Sequence, residues 1–210
     1  METRRALIVT DIQKDFCPGG SLAVKDGNII VRIINNIIKQ KDFYKIIATQ
    51  DWHPQHHRSF ASNYKKHEAF DIINTNDGID VLWPDHCIAG TTGAEFHDDL
   101  ITEDFDLIIR KGTNPNLDSY STFTENDKKT TTGLSGYLKE HLITEVFLCG
   151  IATDVCVFYS ALDAVKAGFK TFVILDATAG VDLPEGNIDK TKNIMAEEGV
   201  IFISADELEF

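Results

Sequence analysis

Short apolar runs alternate along the chain with segments whose apolar residues recur every three or four positions. Ala6, Leu7, Ile8 and Val9 run together before the polar Thr10 and Asp11, the pattern of a strand buried on both faces. Further on, Ile29, Ile30, Ile33, Ile34, Ile37 and Ile38 share one face of a helix, with Arg32, Asn35, Asn36 and Lys39 opposite. The same reading predicts strands over 45–49, 106–111, 145–150, 171–176 and 200–204. It predicts helices over 154–167, stopped by Gly168 in the position of a C-cap, and over 188–198. Strands that are apolar on both faces and separated by helices form a parallel sheet covered on each side. Right-handed crossovers then give an α/β, doubly wound three-layer sandwich with a six-stranded, mainly parallel sheet.

In such a sheet functional groups gather just past the carboxyl ends of the strands. That rule selects Asp11 after the first strand, Asp51 and His53 after the second, Lys111 ending the third, and the segment from Gly150 to Cys156 after the fourth. The stretch 52–105 is too long for a plain connection. Within it, Thr92 followed by Glu95 resembles a capping box and predicts a short helix over 94–100. The remainder is expected to form a lid and part of a site, so 1–210 reads as one domain with an insertion at about 52–105.

Charge narrows the partners. The 210 residues carry 33 acidic and 20 basic side chains, a net charge of −13. Binding nucleic acid calls for clustered Lys and Arg, and an anionic membrane surface calls for the same, so neither is an expected partner. A hydrophobic content of 43% with 13 Phe supplies a packed interior and excludes wholesale disorder. No apolar stretch approaches the roughly 18 residues of a membrane span. The run Ala6 to Val9 after Arg4 and Arg5 is too short for a secretory segment, so the expected compartment is the cytoplasm. Cys17, Cys87, Cys149 and Cys156 show no metal-knuckle spacing, and a disulfide framework is not expected in that compartment.

Cys156 differs from the other three. On the predicted helix, Val155, Phe158, Leu162 and Val165 form an apolar stripe, and Cys156 lies off it in the first turn. Free N–H groups and the positive end of the helix dipole favour a thiolate there, which suits a nucleophile; a small apolar filler is the other reading. Asp11 alone reads as a turn residue, and Lys111 alone as a solvated lysine. Together they change meaning. A cysteine nucleophile needs a base that later protonates the leaving group. A buried carboxylate can do both, with an ammonium beside it balancing charge. Asp51 and His53, two apart at a strand end, point to the same face and can share a divalent metal. His86, in Trp83-Pro84-Asp85-His86-Cys87, offers a third ligand, although His56 and His57 lie close enough to compete. Phe16, Trp83 and Tyr120 fall in loops near strand ends and read as pocket walls for a flat ligand.

The segment from Thr10 to Leu22, T-D-I-Q-K-D-F-C-P-G-G-S-L, resembles the opening motif of the nicotinamidases, a branch of the isochorismatase-like cysteine hydrolases. Gln50-Asp51-Trp52-His53-Pro54, Trp83-Pro84-Asp85-His86-Cys87, Arg110-Lys111-Gly112 and the run from Gly150 to Val157 resemble the other motifs, in the family's order. The resemblance implies the isochorismatase-like hydrolase fold and a catalytic triad of Asp11, Lys111 and Cys156. It implies a divalent metal, with zinc ahead of iron or manganese, on Asp51, His53 and His86. Some relatives carry a further ligand on the loop after the D-x-H motif, a place taken here by His57 or Ser59. It also implies a cis peptide between Ile151 and Ala152, an oxyanion hole from the Ala152 and Cys156 amides, and a ring sandwich of Phe16, Trp83 and Tyr120. The implied activity is hydrolysis of nicotinamide in NAD salvage. A sister hydrolase acting on another amide or on isochorismate, or a catalytically silent ligand-binding or redox-sensing relative, stands as the alternative; homo-oligomer formation is left open.

Overall fold

The computed structural model describes residues 3–40, 42–75 and 78–208. Its strands are β1 (Arg5–Thr10), β2 (Lys45–Asp51), β3 (Ile72–Thr75), β4 (Gly78–Val81), β5 (Leu107–Lys111), β6 (Glu145–Ile151), β7 (Lys170–Ala179) and β8 (Ile201–Ile203). Its α-helices are α1 (Gly27–Gln40), α2 (Leu134–Glu140), α3 (Cys156–Lys166) and α4 (Asn187–Glu197). Six strands form one sheet in the order β5-β2-β1-β6-β7-β8, every neighbouring pair parallel. All six predicted strands are present within a few residues of their expected bounds.

The two-residue period of the strands divides the core into two layers. On β1, Leu7 and Val9 pack with Ile34, Ile37 and Ile38 of α1, while Ala6 and Ile8 face the opposite layer. On β6, Phe147 and Cys149 join the α1 layer, and Val146 and Leu148 meet Val157, Ala161 and Ala164 of α3. Chain order reverses around β1: β2 lies on one side of it and β6 on the other. The crevice at the carboxyl ends of β1 and β6 is therefore the switch point, where an open α/β sheet has room for a ligand.

Three local expectations are corrected. First, of the stripe Val155, Phe158, Leu162 and Val165 only Phe158 is buried and the other three are half-buried, whereas the fully covered positions of α3 are Val157, Ser160, Ala161 and Ala164. The two alanines leave space for the helix to lie close against the sheet, and the larger side chains fill its margins. Second, no helix spans 94–100; a single 3-10 turn, Thr92–Ala94, ends at an extended Glu95. The Glu95 carboxylate is taken by Lys14 Nζ at 2.9 Å, and its carbonyl accepts the Lys14 amide at 3.0 Å, so no capping box closes. Third, α2 and the antiparallel pair β3–β4 were not anticipated. In the pair, Ile72 and Ile79 are largely exposed. Among the described residues no helix is long and apolar enough to cross a membrane.

Candidate active site

Three strand ends deliver the first group. Asp11 follows β1 with a φ of +49°, which turns the chain off the sheet. Its Oδ1 accepts a hydrogen bond from Thr49 Oγ1 at 2.6 Å. Lys111 ends β5, and its Nζ lies 2.9 Å from Asp11 Oδ2, 3.4 Å from Cys156 Sγ and in contact with Asp51 Oδ1. The same ammonium donates to the Ser119 carbonyl at 3.1 Å. Asp11 and Lys111 are fully buried, and Cys156 nearly so. A buried ammonium is tolerated only with partners, and here two carboxylates and a carbonyl supply them. One carboxylate oxygen from each of Asp11 and Asp51 lies within 4.8 Å of Cys156 Sγ and of each other. Asp11 Oδ2 pairs with Lys111 by charge but makes no directed hydrogen bond, so it keeps a lone pair for another donor.

The environment separates the two acids. Burial raises the Asp11 pKa; Lys111 opposes this and Asp51 adds to it. Burial also presses the Asp51 pKa upward, but Lys111 and then His53 overcome it and hold the carboxyl below its ordinary value. Lys111 is held well above an ordinary lysine, because Asp11 and Asp51 outweigh the effect of burial. The sequence suggests a stabilised thiolate at Cys156. Instead, burial raises the thiol well above the ordinary cysteine range, with Lys111 opposing and Asp11 and Asp51 reinforcing. The helix start is present, since Cys156 is the first residue of α3, but desolvation outweighs it. Such a thiol holds its proton until a base takes it, and Asp11 is the neighbour able to do so.

The segment joining β6 to α3 lines the same pocket. The Ile151–Ala152 peptide is cis. The Ala152 carbonyl accepts both the Val155 and Val157 amides at 3.0 Å. The Cys156 amide, at the first helical position, has no intrahelical acceptor. Asp154 secures the far wall by accepting the Val181 and Asp182 amides, each at 2.9 Å.

A second group adjoins the first through Asp51. Asp51 Oδ2 lies 3.5 Å from His53 Nε2 and 3.8 Å from His86 Nε2. His53 Nδ1 is 3.0 Å from the Gly112 carbonyl and His86 Nδ1 is 2.7 Å from the Pro84 carbonyl. A carbonyl only accepts, so both Nδ1 atoms carry protons, which leaves the two Nε2 atoms as the ring positions that face the Asp51 carboxylate. That donor set, two imidazoles and one carboxylate, all buried, suits a divalent metal ion. Gly112 is essential to the arrangement: its φ is +63°, and a Cβ there would stand 2.4 Å from His53 Cε1. His57 and Ser59 are engaged with each other. His57 Nε2 donates to the Leu117 carbonyl at 3.1 Å, and its Nδ1 faces Ser59 Oγ at 2.7 Å. His56 is exposed.

Both groups open into one pocket, whose roughly 410 Å³ of empty space includes its opening to solvent. Phe16, Trp83 and Tyr120 line it, and Trp83 Nε1 donates to the Tyr120 hydroxyl at 3.1 Å. Sequence reasoning overlooked the aliphatic walls Leu22, Val24, Val155 and Val181, and also Asp118. Leu22 closes the opening motif and could be found by asking which of its residues lack a polar role, and Val24 follows it by two positions. Asp118 is buried in the pocket with Oδ2 lacking a hydrogen-bond partner among the described residues; it sits in an aperiodic loop that gives no sequence signal. Thr49, which fixes Asp11, shows in the sequence only as part of a buried strand.

Comparison with known proteins agrees with this arrangement. The Isochorismatase domain model matches residues 5–207. The nicotinamidase of Acinetobacter baylyi is 48% identical over 95% of this chain and 92% of its own length. The solved nicotinamidase/pyrazinamidase of Acinetobacter baumannii is 48% identical with a TM-score of 0.95, covering 100% of both chains. The pyrazinamidase of Pyrococcus horikoshii, solved in complex with zinc, is 35% identical with a TM-score of 0.78, covering 96% of this chain and 99% of that one. With its domain match, its fold and its buried Asp-Lys-Cys cluster beside a metal-ligand set, the chain belongs to the isochorismatase family of hydrolases.

Proposed function

We propose that this protein is a nicotinamidase, an amidohydrolase that converts nicotinamide to nicotinic acid and ammonia in NAD salvage. One observation carries the reading: Lys111 touches Asp11, Asp51 and Cys156 at once, joining a nucleophile and its acid to a metal-ligand set across one apolar-walled pocket. The Acinetobacter nicotinamidases, near half-identical along almost the whole chain, support it. Asp51, His53 and His86 would hold one divalent ion, zinc on the example of the Pyrococcus protein, and when bound it supplies a Lewis acid to which the pyridine nitrogen can be anchored.

Phe16, Trp83 and Tyr120 grip the flat ring and exclude water, setting the amide carbon beside Cys156 Sγ. Asp11 takes the thiol proton as sulfur attacks the carbon. The carbonyl oxygen, now negative, turns to the Ala152 and Cys156 amides; removing one such donor in comparable sites costs about 10²–10³ in rate. Asp11 then returns the proton to the departing nitrogen and ammonia leaves, with an acyl-thioester on Cys156. Asp11 deprotonates a water that attacks this thioester, and the released sulfur recovers the proton. Lys111 stabilises each anionic state of Asp11 and Cys156 in turn and keeps Asp51 ionised.

The test is ammonia release from nicotinamide by the purified protein. Turnover that disappears in Cys156→Ala supports the reading, and a wild-type protein that releases none overturns it. Metal analysis of the same preparation separates this activity from isochorismate hydrolysis, which has no use for the Asp51, His53 and His86 set.

A further inference from the structure

The opening motif contributes Asp11 to the chemistry and Phe16 to the pocket wall, yet two of its other polar side chains are also turned inward. Gln13 is fully buried and every polar atom of its amide is engaged. Its Oε1 accepts the Asp51 amide at 2.8 Å, while its Nε2 donates to the Asp51 carbonyl at 2.8 Å and to the Ala94 carbonyl at 2.9 Å. Both main-chain groups of a metal-ligand residue are thus held by one rigid side-chain amide. Asp15 acts two residues further on. Its Oδ2 accepts the Cys87 amide at 2.7 Å, directly after His86, where Cys87 itself stands at a φ of +46°. The Cys87 carbonyl in turn accepts the His53 amide at 3.0 Å. Gly93 leaves the space Asp15 needs, since a Cβ there would lie 2.1 Å from Asp15 Oδ2.

From this geometry we infer that Gln13 and Asp15 are positioning residues for the metal site. They act through the main chain of the ligand-bearing segments, so that the loop carrying the catalytic acid also sets the spacing of Asp51, His53 and His86. The inference rests on the ligand set proposed above. Neither residue touches substrate or the reacting atoms. A side chain that holds both the N–H and the C=O of Asp51 fixes the direction of its carboxylate more tightly than strand pairing alone. Without it, Asp51 is free to rotate toward Lys111, with which it already pairs. Outer partners of metal ligands typically govern affinity by about 10–100-fold, and the same scale is expected here although the grip is on the backbone.

The experiment measures Zn²⁺ affinity of chelator-stripped protein by competition with a chromophoric chelator, alongside thermal unfolding of the metal-free protein. Gln13→Glu keeps the shape and removes the donors to the Asp51 and Ala94 carbonyls. It is expected to weaken Zn²⁺ binding by about tenfold or more, beyond any change in unfolding temperature. Asp15→Asn is expected to weaken it less, by about threefold to tenfold. A folded Gln13→Glu protein whose Zn²⁺ affinity stays within twofold of the wild type overturns the inference. Should that variant not fold, Asp15→Asn decides by the same criterion. Asp51→Ala is the control. If it abolishes the site while the Gln13 and Asp15 variants leave affinity unchanged, the inference fails and the ligand set stands. If Asp51→Ala binds Zn²⁺ normally, the ligand set itself is wrong and the inference falls with it.

Discussion

Asp11 and Lys111 are set behind the pocket wall by the ends of β1 and β5, whereas His53 and His86 line the pocket from irregular backbone in the 52–105 segment. The two regions use different means. At the sheet, regular pairing does the placing: β1 pairs with both β2 and β6 in fixed parallel register, and the acid emerges where the ladder stops. In the insertion, position comes from side chains bonded to distant main chain, as in Gln13 to Ala94 and Asp15 to Cys87. The first kind of placement is stiff because many cooperative hydrogen bonds share it. The second depends on a few contacts, each of which can be removed singly.

That contrast can be broken at its strongest point first. Replacing Cys156 with Ala is expected to lower nicotinamide turnover by about 10⁴-fold or more, while nicotinamide binding measured by calorimetry persists, because the insertion still holds its part of the pocket. Lys111→Met attacks the link between the regions. It strands Asp11 and Asp51 as buried carboxylates without their common cation, a loss expected to cost about 3–5 kcal/mol in urea unfolding as well as turnover. Gly112→Ala strikes one ligand only. A methyl 2.4 Å from the His53 ring must displace it, and Zn²⁺ affinity is expected to fall about 10–100-fold. Stripping the metal with a chelator leaves the sheet untouched and is expected to weaken nicotinamide binding by about tenfold, or ~1.4 kcal/mol. At the small end, Ile79→Thr on the exposed face of the β3–β4 pair is expected to change stability by less than about 0.5 kcal/mol and leave turnover alone. A large effect there would mean that the outer face of the insertion serves the site.

The same division explains what could be read from the sequence. Strands such as Ala6 to Val9 announce themselves because burial on two faces demands unbroken apolar runs, and the strand-end rule then leads to Asp11, Asp51 and Lys111 without further information. The Cys156 stripe was misplaced because periodicity weighs large apolar residues, while the helix face that meets the sheet is built from Ala161 and Ala164. Thr92 and Glu95 have the spacing of a cap, but a local pattern carries no trace of Lys14, 81 positions away, which captures the carboxylate. Gln13 is invisible for the same reason: its partner Asp51 is 38 positions distant and is gripped through atoms that every residue possesses. A thiolate was expected from the helix start alone; the degree of burial that reverses it is a property of the assembled pocket.

The outermost place of β5 in the sheet has a kinetic consequence. Asp11 hangs from an interior strand, but Lys111 hangs from one whose ladder is bonded on a single flank, to β2. Margins of sheets fray at lower free energy than their centres. Amide exchange should therefore be faster along β5 than along β1, and on warming the ammonium is withdrawn while acid and sulfur are still in register. Inactivation then precedes global melting, and tightening that rim, rather than enlarging the interior, is the route to a more heat-tolerant catalyst.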